Sequence, residues 1–348
     1  MGIPLPLDPV LAQQRLDAFD SILISHPRMA NAHARFEALA GQTRARVAQN
    51  ELRVGASKGR PIKPAELWLM PLIGPAGSGK SASISSYIDK IYKDPKTPDG
   101  AIPALVVTLR SSTKTPRQLQ HQILEAYGDP AAHTTLTDRD YSEARVNESI
   151  RAIARRCDTA ILLLDEAHNL LAGGLRAKEA MCKAFKSLLN DGLFSIVLSG
   201  TYEVASMLSG DTELQSRQKE TIDFGKLQLN APDMKYFINF VTYLEREMIE
   251  RKVIDAPIGL TASAEERGFI YDMADGVVGI VSRIVRLALE RAFIEGKTEL
   301  TWEHITHAFR AWKQTDSSNP NAKRYDPFVD GVRPATRQVV ASLSRIAA

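Results

Sequence analysis

The chain has 348 residues, 44% of them hydrophobic and 24% charged, and this composition is typical of a globular protein of about two domains. No apolar run reaches the ~18 residues of a membrane helix, and no basic stretch followed by an apolar core opens the chain. We therefore expect a cytoplasmic protein without membrane contact. Its two cysteines, Cys157 and Cys182, argue against a disulfide framework or a zinc site.

The net charge of +3, from 44 basic and 41 acidic residues, does not by itself indicate a polyanionic partner. The basic residues are unevenly distributed, because residues 1–64 carry nine Lys or Arg against five Asp or Glu. Residues 103–117 contain Arg110, Lys114 and Arg117 and no acid. Such a cluster forms either a solvated face or a contact for phosphates, and composition leaves both open.

Two helices are predicted at the start of the chain, over residues 9–23 and 29–52, because apolar residues recur there at steps of three and four. His26-Pro27-Arg28 separates them, since the residue before a proline avoids helical backbone angles. Residues 54–64 contain two glycines, two prolines and three basic residues, which predict an exposed linker.

A glycine-rich turn follows the apolar run Leu67–Ile73 and precedes a helical pattern. It matches a phosphate-binding P-loop with the residues Gly74, Pro75, Ala76, Gly77, Ser78, Gly79, Lys80 and Ser81. The glycines let successive backbone N–H groups point into one concavity, to which the following helix adds its positive N-terminal end. Lys80 supplies a charge for the β- and γ-phosphates, and the Ser81 hydroxyl completes the coordination of Mg²⁺. The expected ligands are ATP and Mg²⁺.

One residue breaks the local pattern of the strand before the P-loop. Pro71 has no N–H to donate to a strand neighbour. We therefore expect the strand to pair irregularly at Pro71 or to start after it.

The region after the P-loop helix predicts one strand and two helices. Ile102–Leu109 is an apolar, β-branched run typical of a buried strand. Thr115-Pro116 predicts a helix with Thr115 as its N-cap, which continues to about Tyr127. A polar loop to Arg139 and a helix over Tyr141–Cys157 are expected next.

Two carboxylates follow the apolar run Ala160–Leu164, which predicts a central parallel strand. Asp165 and Glu166 come at the carboxyl end of that strand, where open α/β sheets bind ligands. This is the Walker B pattern, in which Asp165 holds Mg²⁺ and Glu166 orients and polarises the attacking water. The alternative is a strand end with two exposed acids.

A further strand, Phe194–Leu198, ends in polar side chains that can reach a γ-phosphate or the attacking water. Thr201 is the first candidate and Ser199 the second, and both have a simple helix-capping role as the alternative. Arg217 lies in a polar helix terminus that starts at Glu213, and the site of its own domain does not require this arginine.

The rest of the chain is predicted to be mainly helical. Lys226–Leu229 is expected to form a last strand and residues 232–252 a helix, followed by an all-helical unit over residues 261–312. Arg283 lies on the first turn of a helix in that unit, after a glycine turn. From Lys313 to about Arg333 we expect an extended tail, ending in a short C-terminal helix.

Taken together and in order, these motifs resemble those of an AAA+ ATPase. The P-loop corresponds to Walker A, Asp165-Glu166 to Walker B, Thr201 to sensor 1, Arg217 to the arginine finger and Arg283 to sensor 2. Within that class, His26-Pro27-Arg28 and the segments Glu213–Arg217 and Ile196–Thr201 look like the TniB/TnsC group of transposition regulators. The extra helix over Tyr141–Cys157 departs from a minimal AAA+ core.

The resemblance implies an α/β fold: a P-loop AAA+ domain with a parallel sheet flanked by helices, N-terminal helices and a small C-terminal helical lid. The corresponding parts are an N-terminal helical extension and linker (1–64), the ATPase core (65–255), the lid (256–312) and a tail (313–348). Catalytic roles are implied for Lys80, Asp165, Glu166, Thr201, Arg217 and Arg283, and Mg²⁺ ligation for Ser81 and Asp165.

The same resemblance implies a Mg-dependent ATPase that assembles on duplex DNA as a ring or helical filament and acts in transposition, a form of DNA recombination. Its partners would be a transposase and a TniQ-like target-selection protein. In such an assembly, the loop carrying Arg110, Lys114, Thr115 and Arg117 would face the DNA phosphates, although capping is the more direct role for Thr115. The alternatives are an AAA+ signalling ATPase that does not act on DNA and a scaffold in which ATP binding only locks an oligomer and hydrolysis is incidental.

Overall fold

The strand and helix patterns of the sequence are largely realised in a computed structural model, which describes residues 6–57, 64–130, 132, 142–315 and 325–346. Most of the predicted polar loop up to Arg139 lies outside these residues. The chain folds into two compact units, one from Pro27 to Gly225 and the other formed by the residues up to His26 and from Lys226 onward. The four-part domain division expected from the sequence remains a prediction.

The helices and strands are labelled in chain order. The helices are α1 Pro9–Asp20, α2 Pro27–Ala56, α3 Lys80–Lys93, α4 Pro116–Ala126, α5 Glu143–Arg156, a 3₁₀ helix Ala167–Gly173, α6 Gly174–Asn190, α7 Tyr202–Ser209, α8 Thr212–Ser216, α9 Ala231–Glu250, α10 Ala264–Ala274, α11 Val278–Ile294, α12 Trp302–Thr315, α13 Pro327–Asp330 and α14 Pro334–Ile346. The strands are β1 Leu69–Ile73, β2 Ala104–Thr108, β3 Ile161–Asp165, β4 Ser195–Gly200 and β5 Ile222–Asp223. None of the described helices has the length and apolar character needed to traverse a bilayer.

The unit from Pro27 to Gly225 is built on a five-stranded parallel sheet in the order β2-β3-β4-β1-β5. Strands β1, β3 and β4 are buried at every residue. Parallel strands need crossover connections, and the helices that supply them cover both faces of the sheet. The predicted fold class, a parallel sheet flanked by helices, is confirmed.

Helices cover the two faces of the sheet with different sets of apolar side chains. On one face α2 and α3 contribute buried residues that include Phe36 and Tyr87. On the other face α4, α5 and α6 contribute residues that include Leu119, Ile153 and Phe185. Complete burial of an aromatic side chain such as Phe36 stabilises the fold by about 2 kcal/mol. The additional helix α5 is therefore part of the core of this unit.

Pro71 lies inside β1 and pairs in regular register with Leu198 of β4. On the other side of β1, Leu69 donates to Arg217 O and accepts from Lys219 N, and Ile73 accepts from Phe224 N. Because alternate residues of a strand point to the same neighbour, the missing N–H of Pro71 faces this second side, between the two contacts. The pairing of β1 with β4 is thus regular, and only the side of β1 that faces the edge strand β5 lacks a hydrogen bond at Pro71.

The second unit is helical, and its core is formed by side chains of α1, α9, α10, α11, α12 and α14. The predicted strand at Lys226–Leu229 is wrong. Leu227 instead donates its N–H to Gly276 O and accepts from the Tyr271 hydroxyl, so its backbone has no strand neighbour among the described residues. Gly276 has φ +73, and a Cβ built there would lie 2.2 Å from Leu227 O, so this contact requires glycine.

The C-terminal residues pack more extensively than the predicted extended tail. Asp272 in α10 is 4% exposed and accepts hydrogen bonds from Tyr325 Oη, Arg333 N and Thr336 Oγ1. Val340 of α14 is also buried in the core of this unit. Asp272 therefore anchors the end of the chain to the helical unit.

We predict that Asp272→Ala lowers the free energy of unfolding by about 3 kcal/mol, because three donors lose a charged acceptor in a buried place. Urea unfolding measures this change. Glu303→Ala is the control, since Glu303 lies on the exposed side of α12. Equal stability of the two variants would contradict the anchoring role.

Candidate nucleotide-binding site

Three segments that are far apart in sequence meet at the carboxyl edge of the sheet. β1 pairs with β4 and β4 with β3, all in parallel, so Gly74, Asp165 and Thr201 lie at the ends of neighbouring strands. Gly74 N donates to Gly200 O at 3.2 Å, which joins the first turn of the P-loop to the end of β4. The motifs predicted from the sequence are thus brought together by strand register.

The P-loop has the backbone angles that its glycines permit. Gly77 and Gly79 have φ values of +76 and +97. A Cβ on Gly74 would lie 2.6 Å from Phe224 O, so the backbone after β5 closes tightly against the loop. Helix α3 begins at Lys80 without a side-chain cap, which leaves the N–H groups of its first turn for an anion. The loop fits a polyphosphate.

Lys80 is 9% exposed, and its Nζ donates to Gly74 O and Pro75 O, both at 2.9 Å. Burial lowers the pKa of Lys80, and the nearby carboxylates of Asp165 and Glu166 oppose that shift. The two carboxylates therefore favour the charged form of the lysine, which is the form that binds phosphate.

Asp165 is held in one orientation by two hydrogen bonds to its Oδ1, from Ser199 Oγ at 2.7 Å and from Glu166 N at 2.9 Å. Ser199, the second candidate for contact with the γ-phosphate, thus has its hydroxyl directed to Asp165. Among the described residues no group of three His, Cys, Asp or Glu side chains forms a protein-only metal site. A Mg²⁺ ion here would rest on Ser81, which is exposed on the first turn of α3, on Asp165 and on the phosphates.

Glu166 follows Asp165 in a left-handed backbone conformation, with φ 57 and ψ 36. This conformation turns its side chain away from the path of the strand, and the side chain is 44% exposed. His168 Nδ1 lies 3.3 Å from Glu166 Oε2, a distance suited to an ion pair when the imidazole is protonated. Sequence reasoning missed His168, although its position two residues after Glu166 was a signal.

Thr201 occupies the N-cap position of α7 but makes no capping hydrogen bond. Its Oγ1 is buried and has no hydrogen-bond partner among the described residues. A buried hydroxyl without a partner costs free energy, and a ligand oxygen or water removes that cost. The capping alternative is therefore not what the structure has, and the hydroxyl is available to a ligand.

Arg217 lies away from this cluster of motifs, and Arg283 belongs to the other compact unit. Arg217 O accepts from the N–H of Leu69, the first residue of β1, so Arg217 is at the amino edge of the sheet. The P-loop starts at the other end of β1, roughly 13 Å away along the strand. Arg283 is an exposed residue of α11 in the helical unit, without a hydrogen bond or ion pair to any residue that the structure describes.

The basic loop after β2 is at the carboxyl edge, since Thr108 pairs with Asp165 in register. Arg110 forms an ion pair with Glu125 in which Nη2 donates to both carboxylate oxygens, each at 2.8 Å. Thr115 and Gln118 form a capping box that starts α4. Lys114 is exposed and Arg117 half-buried. The predicted N-cap is confirmed, and the charge of Arg110 is already balanced.

The strand order, the P-loop after β1 and the acidic pair at the end of β3 are those of an AAA+ ATPase fold. The model of a family described as "Bacterial TniB protein" matches residues 32–223, which is more than half of the chain. The protein belongs to the TniB family.

Solved structures add a likeness of fold. The ORC2 protein of Aeropyrum pernix, in ADPNP-ADP complexes, has a TM-score of 0.51 at 11% identity, over 80% of this chain and 68% of that one. Drosophila ORC bound to DNA scores 0.49 at 15% identity, over 100% and 82% of the two chains. The ORC1 protein of Aeropyrum pernix in complex with DNA scores 0.49 at 18% identity, over 78% and 65%. No curated protein matches the sequence.

We predict that Lys80→Ala abolishes tight ATP binding, because the P-loop then lacks the cation that faces the β- and γ-phosphates. Titration with ATP by calorimetry measures the loss. Lys90→Ala is the matched control, because Lys90 is an exposed lysine of the same helix that pairs with Glu37. Wild-type affinity in Lys80→Ala would contradict the assignment of the site.

Proposed function

We propose that the protein is an ATP-dependent, DNA-binding transposition regulator that oligomerises on duplex DNA and links target-site selection to a transposase. The observation that carries this proposal is the convergence of Lys80, Asp165, Glu166 and Thr201 at one edge of the sheet in a chain of the TniB family. The implied partners are duplex DNA, a transposase, a TniQ-like target selector and further copies of the chain. Its implied place is the cytoplasm.

The chemistry assigned to these residues is hydrolysis of ATP to ADP and phosphate. The P-loop N–H groups and Lys80 hold the phosphates, and the Thr201 hydroxyl offers a contact at the γ-phosphate. Glu166 orients and polarises a water molecule. Mg²⁺, held by Ser81 and Asp165, supplies charge neutralisation when bound. The ADPNP and ADP in the ORC2 protein of similar fold support a nucleotide as the ligand.

We expect Glu166→Gln to keep ATP binding and to lower steady-state hydrolysis by at least about tenfold, because the amide cannot polarise the attacking water. A coupled assay of phosphate release measures the rate. Glu203→Gln is the control, since Glu203 is an exposed glutamate on the first turn of α7. Hydrolysis by Glu166→Gln at the wild-type rate would remove Glu166 from its role.

The position of Arg217 supports a site shared between copies. An arginine at the amino edge of the sheet cannot serve the P-loop of its own chain, which lies at the opposite edge. A head-to-tail arrangement brings the amino edge of one copy toward the carboxyl edge of the next, and such heterologous contacts generate rings or filaments. In this arrangement Arg217 acts in trans on the γ-phosphate.

We predict that a mixture of Arg217→Ala and Lys80→Ala subunits, each inactive alone, recovers ATPase activity. At hybrid interfaces the intact P-loop of the first variant meets the intact arginine of the second. The matched control mixes Lys80→Ala with Glu166→Gln, which share one damaged edge and recover nothing. Absence of activity at every ratio in the first mixture would contradict the shared site.

The DNA contact is assigned to the loop after β2. The side chains of this loop differ in whether they are exposed and whether they already have a partner within the chain. Lys114 is exposed, whereas Arg110 is paired with Glu125 and Thr115 caps α4. Lysine and arginine on a short loop neutralise phosphates and carry no base readout, so this contact binds duplex DNA without choosing a sequence. Target choice is left to the partner protein.

Replacing Lys114 and Arg117 with Ala should weaken duplex DNA binding about equally for unrelated sequences and flatten the slope of log affinity against log salt. Fluorescence anisotropy over a salt series measures both quantities. The control, Lys93→Ala with Lys96→Ala, removes two exposed positive charges elsewhere in the same unit.

Two outcomes would contradict this assignment. If affinity and slope are unchanged while ATP-driven assembly is intact, the DNA site moves to the basic residues before position 65. If the wild-type protein hydrolyses ATP but binds no duplex DNA at low salt, the alternative of a signalling or scaffold ATPase replaces the DNA-binding function.

A further inference from the structure

The guanidinium of Arg217 is held within its own chain by three side chains. Its Nη2 lies 2.6 Å from Glu213 Oε1 and 3.2 Å from Glu66 Oε1, and its Nη1 donates to Asn190 Oδ1 at 2.8 Å. The residue is 5% exposed. An arginine in this position cannot reach a phosphate on another molecule without leaving the two carboxylates.

The surroundings of this guanidinium leave donors unused. The Nε atoms of Arg217 and Arg46 are both buried without a hydrogen-bond partner among the described residues. A buried donor without an acceptor costs about 1–3 kcal/mol. Both arginines line one cleft of about 420 Å³, together with the exposed Arg53 and Ser216 and the half-buried Glu66. The cleft is therefore lined by two arginines whose hydrogen-bonding capacity is not fully used by the described part of the chain.

The side chains at the cleft are positive on balance, even when Glu213, which pairs with Arg217 from outside the lining, is counted together with Glu66. Arg46, Arg53 and Arg217 face Glu66 as the only acidic side chain that lines the cleft among the described residues. Arg46 and Lys219 also lie over the Trp68 ring, at 5.2 and 4.2 Å from its centroid. The ring positions these two cations at the edge of the cleft. A partner for this surface must bring negative charge.

We propose that this cleft is the surface that receives the phosphate-bearing edge of a second copy of the chain, and that Glu66 and Glu213 hold Arg217 back until that edge arrives. The proposal rests on the trans role of Arg217 in the proposed function and adds its regulation. The occupant is a second copy because its carboxyl edge, which also carries Lys80 and the basic loop after β2, presents Asp165 and Glu166 and, in the proposed function, would present the nucleotide phosphates. Exchange of carboxylate for phosphate then couples assembly to hydrolysis.

Glu213 is suited to such an exchange because it has a second cation. Lys186 Nζ lies 3.2 Å from Glu213 Oε2 and 3.1 Å from Asp211 Oδ2. Hydrogen bonds to Asp211 and Glu213 raise the pKa of Lys186, so this lysine is protonated at neutral pH. When Arg217 leaves, Glu213 stays paired with Lys186, so release does not leave this carboxylate without a cation.

The test measures ATP hydrolysis per subunit as a function of protein concentration. The protein concentration that gives the half-maximal rate is called the half-point. Glu66→Gln and Glu213→Gln should each lower this half-point by about threefold to tenfold, the equivalent of roughly 1 kcal/mol for a partly exposed ion pair. Arg53→Gln, on the exposed rim, should raise it because the cleft loses a charge that attracts the second copy. ATP affinity should be unchanged in all three.

Lys186→Met is the control that distinguishes release of Arg217 from a general effect of removing a surface charge. It leaves Glu213 with Arg217 as its remaining basic partner, so the half-point should not fall. A fall in Lys186→Met equal to that in Glu213→Gln would overturn the proposal. So would an unchanged or raised half-point in both Glu66→Gln and Glu213→Gln, or an unchanged half-point in Arg53→Gln.

Failure of this inference is distinguishable from failure of the proposed function. If the glutamine variants behave like wild type while Arg217→Lys loses hydrolysis and retains ATP binding, the trans arginine stands and the hold by Glu66 and Glu213 is wrong. If Arg217→Lys and Arg217→Ala hydrolyse ATP at the wild-type rate, the trans role itself is wrong, and the inference falls with it.

Discussion

The parallel register of β1, β3 and β4 is the constraint on which the rest of the structure depends. Ile73 pairs with Gly200 and Leu164 with Leu198, so the chain leaves three strands at the same edge. Polar groups of the site lie at or after the end of each of these strands, and apolar burial of the strands on both faces keeps their ends from shifting. A one-residue slip would exchange the side chains packed on the two faces of the sheet and disrupt both cores, and the geometry of the site is therefore tied to the stability of the core.

The same register separates the two halves of the proposed catalytic site. The P-loop follows the last residue of β1, whereas Arg217 pairs with the first. The two ends of β1 thus lie next to different features. The anion-binding loop at the carboxyl edge has no arginine, and the arginine at the amino edge is held by carboxylates. Neither edge is complete alone. In the proposed assembly a second copy would complete both, and this is the physical reason that the proposal gives for oligomerisation.

The sequence predicted the parts of the fold that depend on local pattern. The glycine-rich turn of the P-loop, the apolar strand that ends at Asp165 and the N-cap at Thr115 are each encoded by a few consecutive residues, and the structure has all three. Contacts between distant residues escaped prediction. Lys226–Leu229 alternates like a strand, but Leu227 pairs with Gly276, about 50 positions away, and no local pattern reveals that choice. The contact of Glu66 with Arg217 and that of the Ser199 hydroxyl with Asp165 were not predicted for the same reason, since each joins residues that are distant in sequence. Glu213 is different, because it lies four residues before Arg217 and its contact is local.

The central claim is that ATP controls assembly of this protein on DNA, and electron microscopy of the purified protein with duplex DNA tests it most directly. The account predicts ordered rings or filaments along the DNA with ATP, with adjacent copies meeting through the P-loop edge and the Arg217 edge. With ADP it predicts dispersed particles. Equal assembly in the two nucleotides, or dispersed particles in both, would contradict the account.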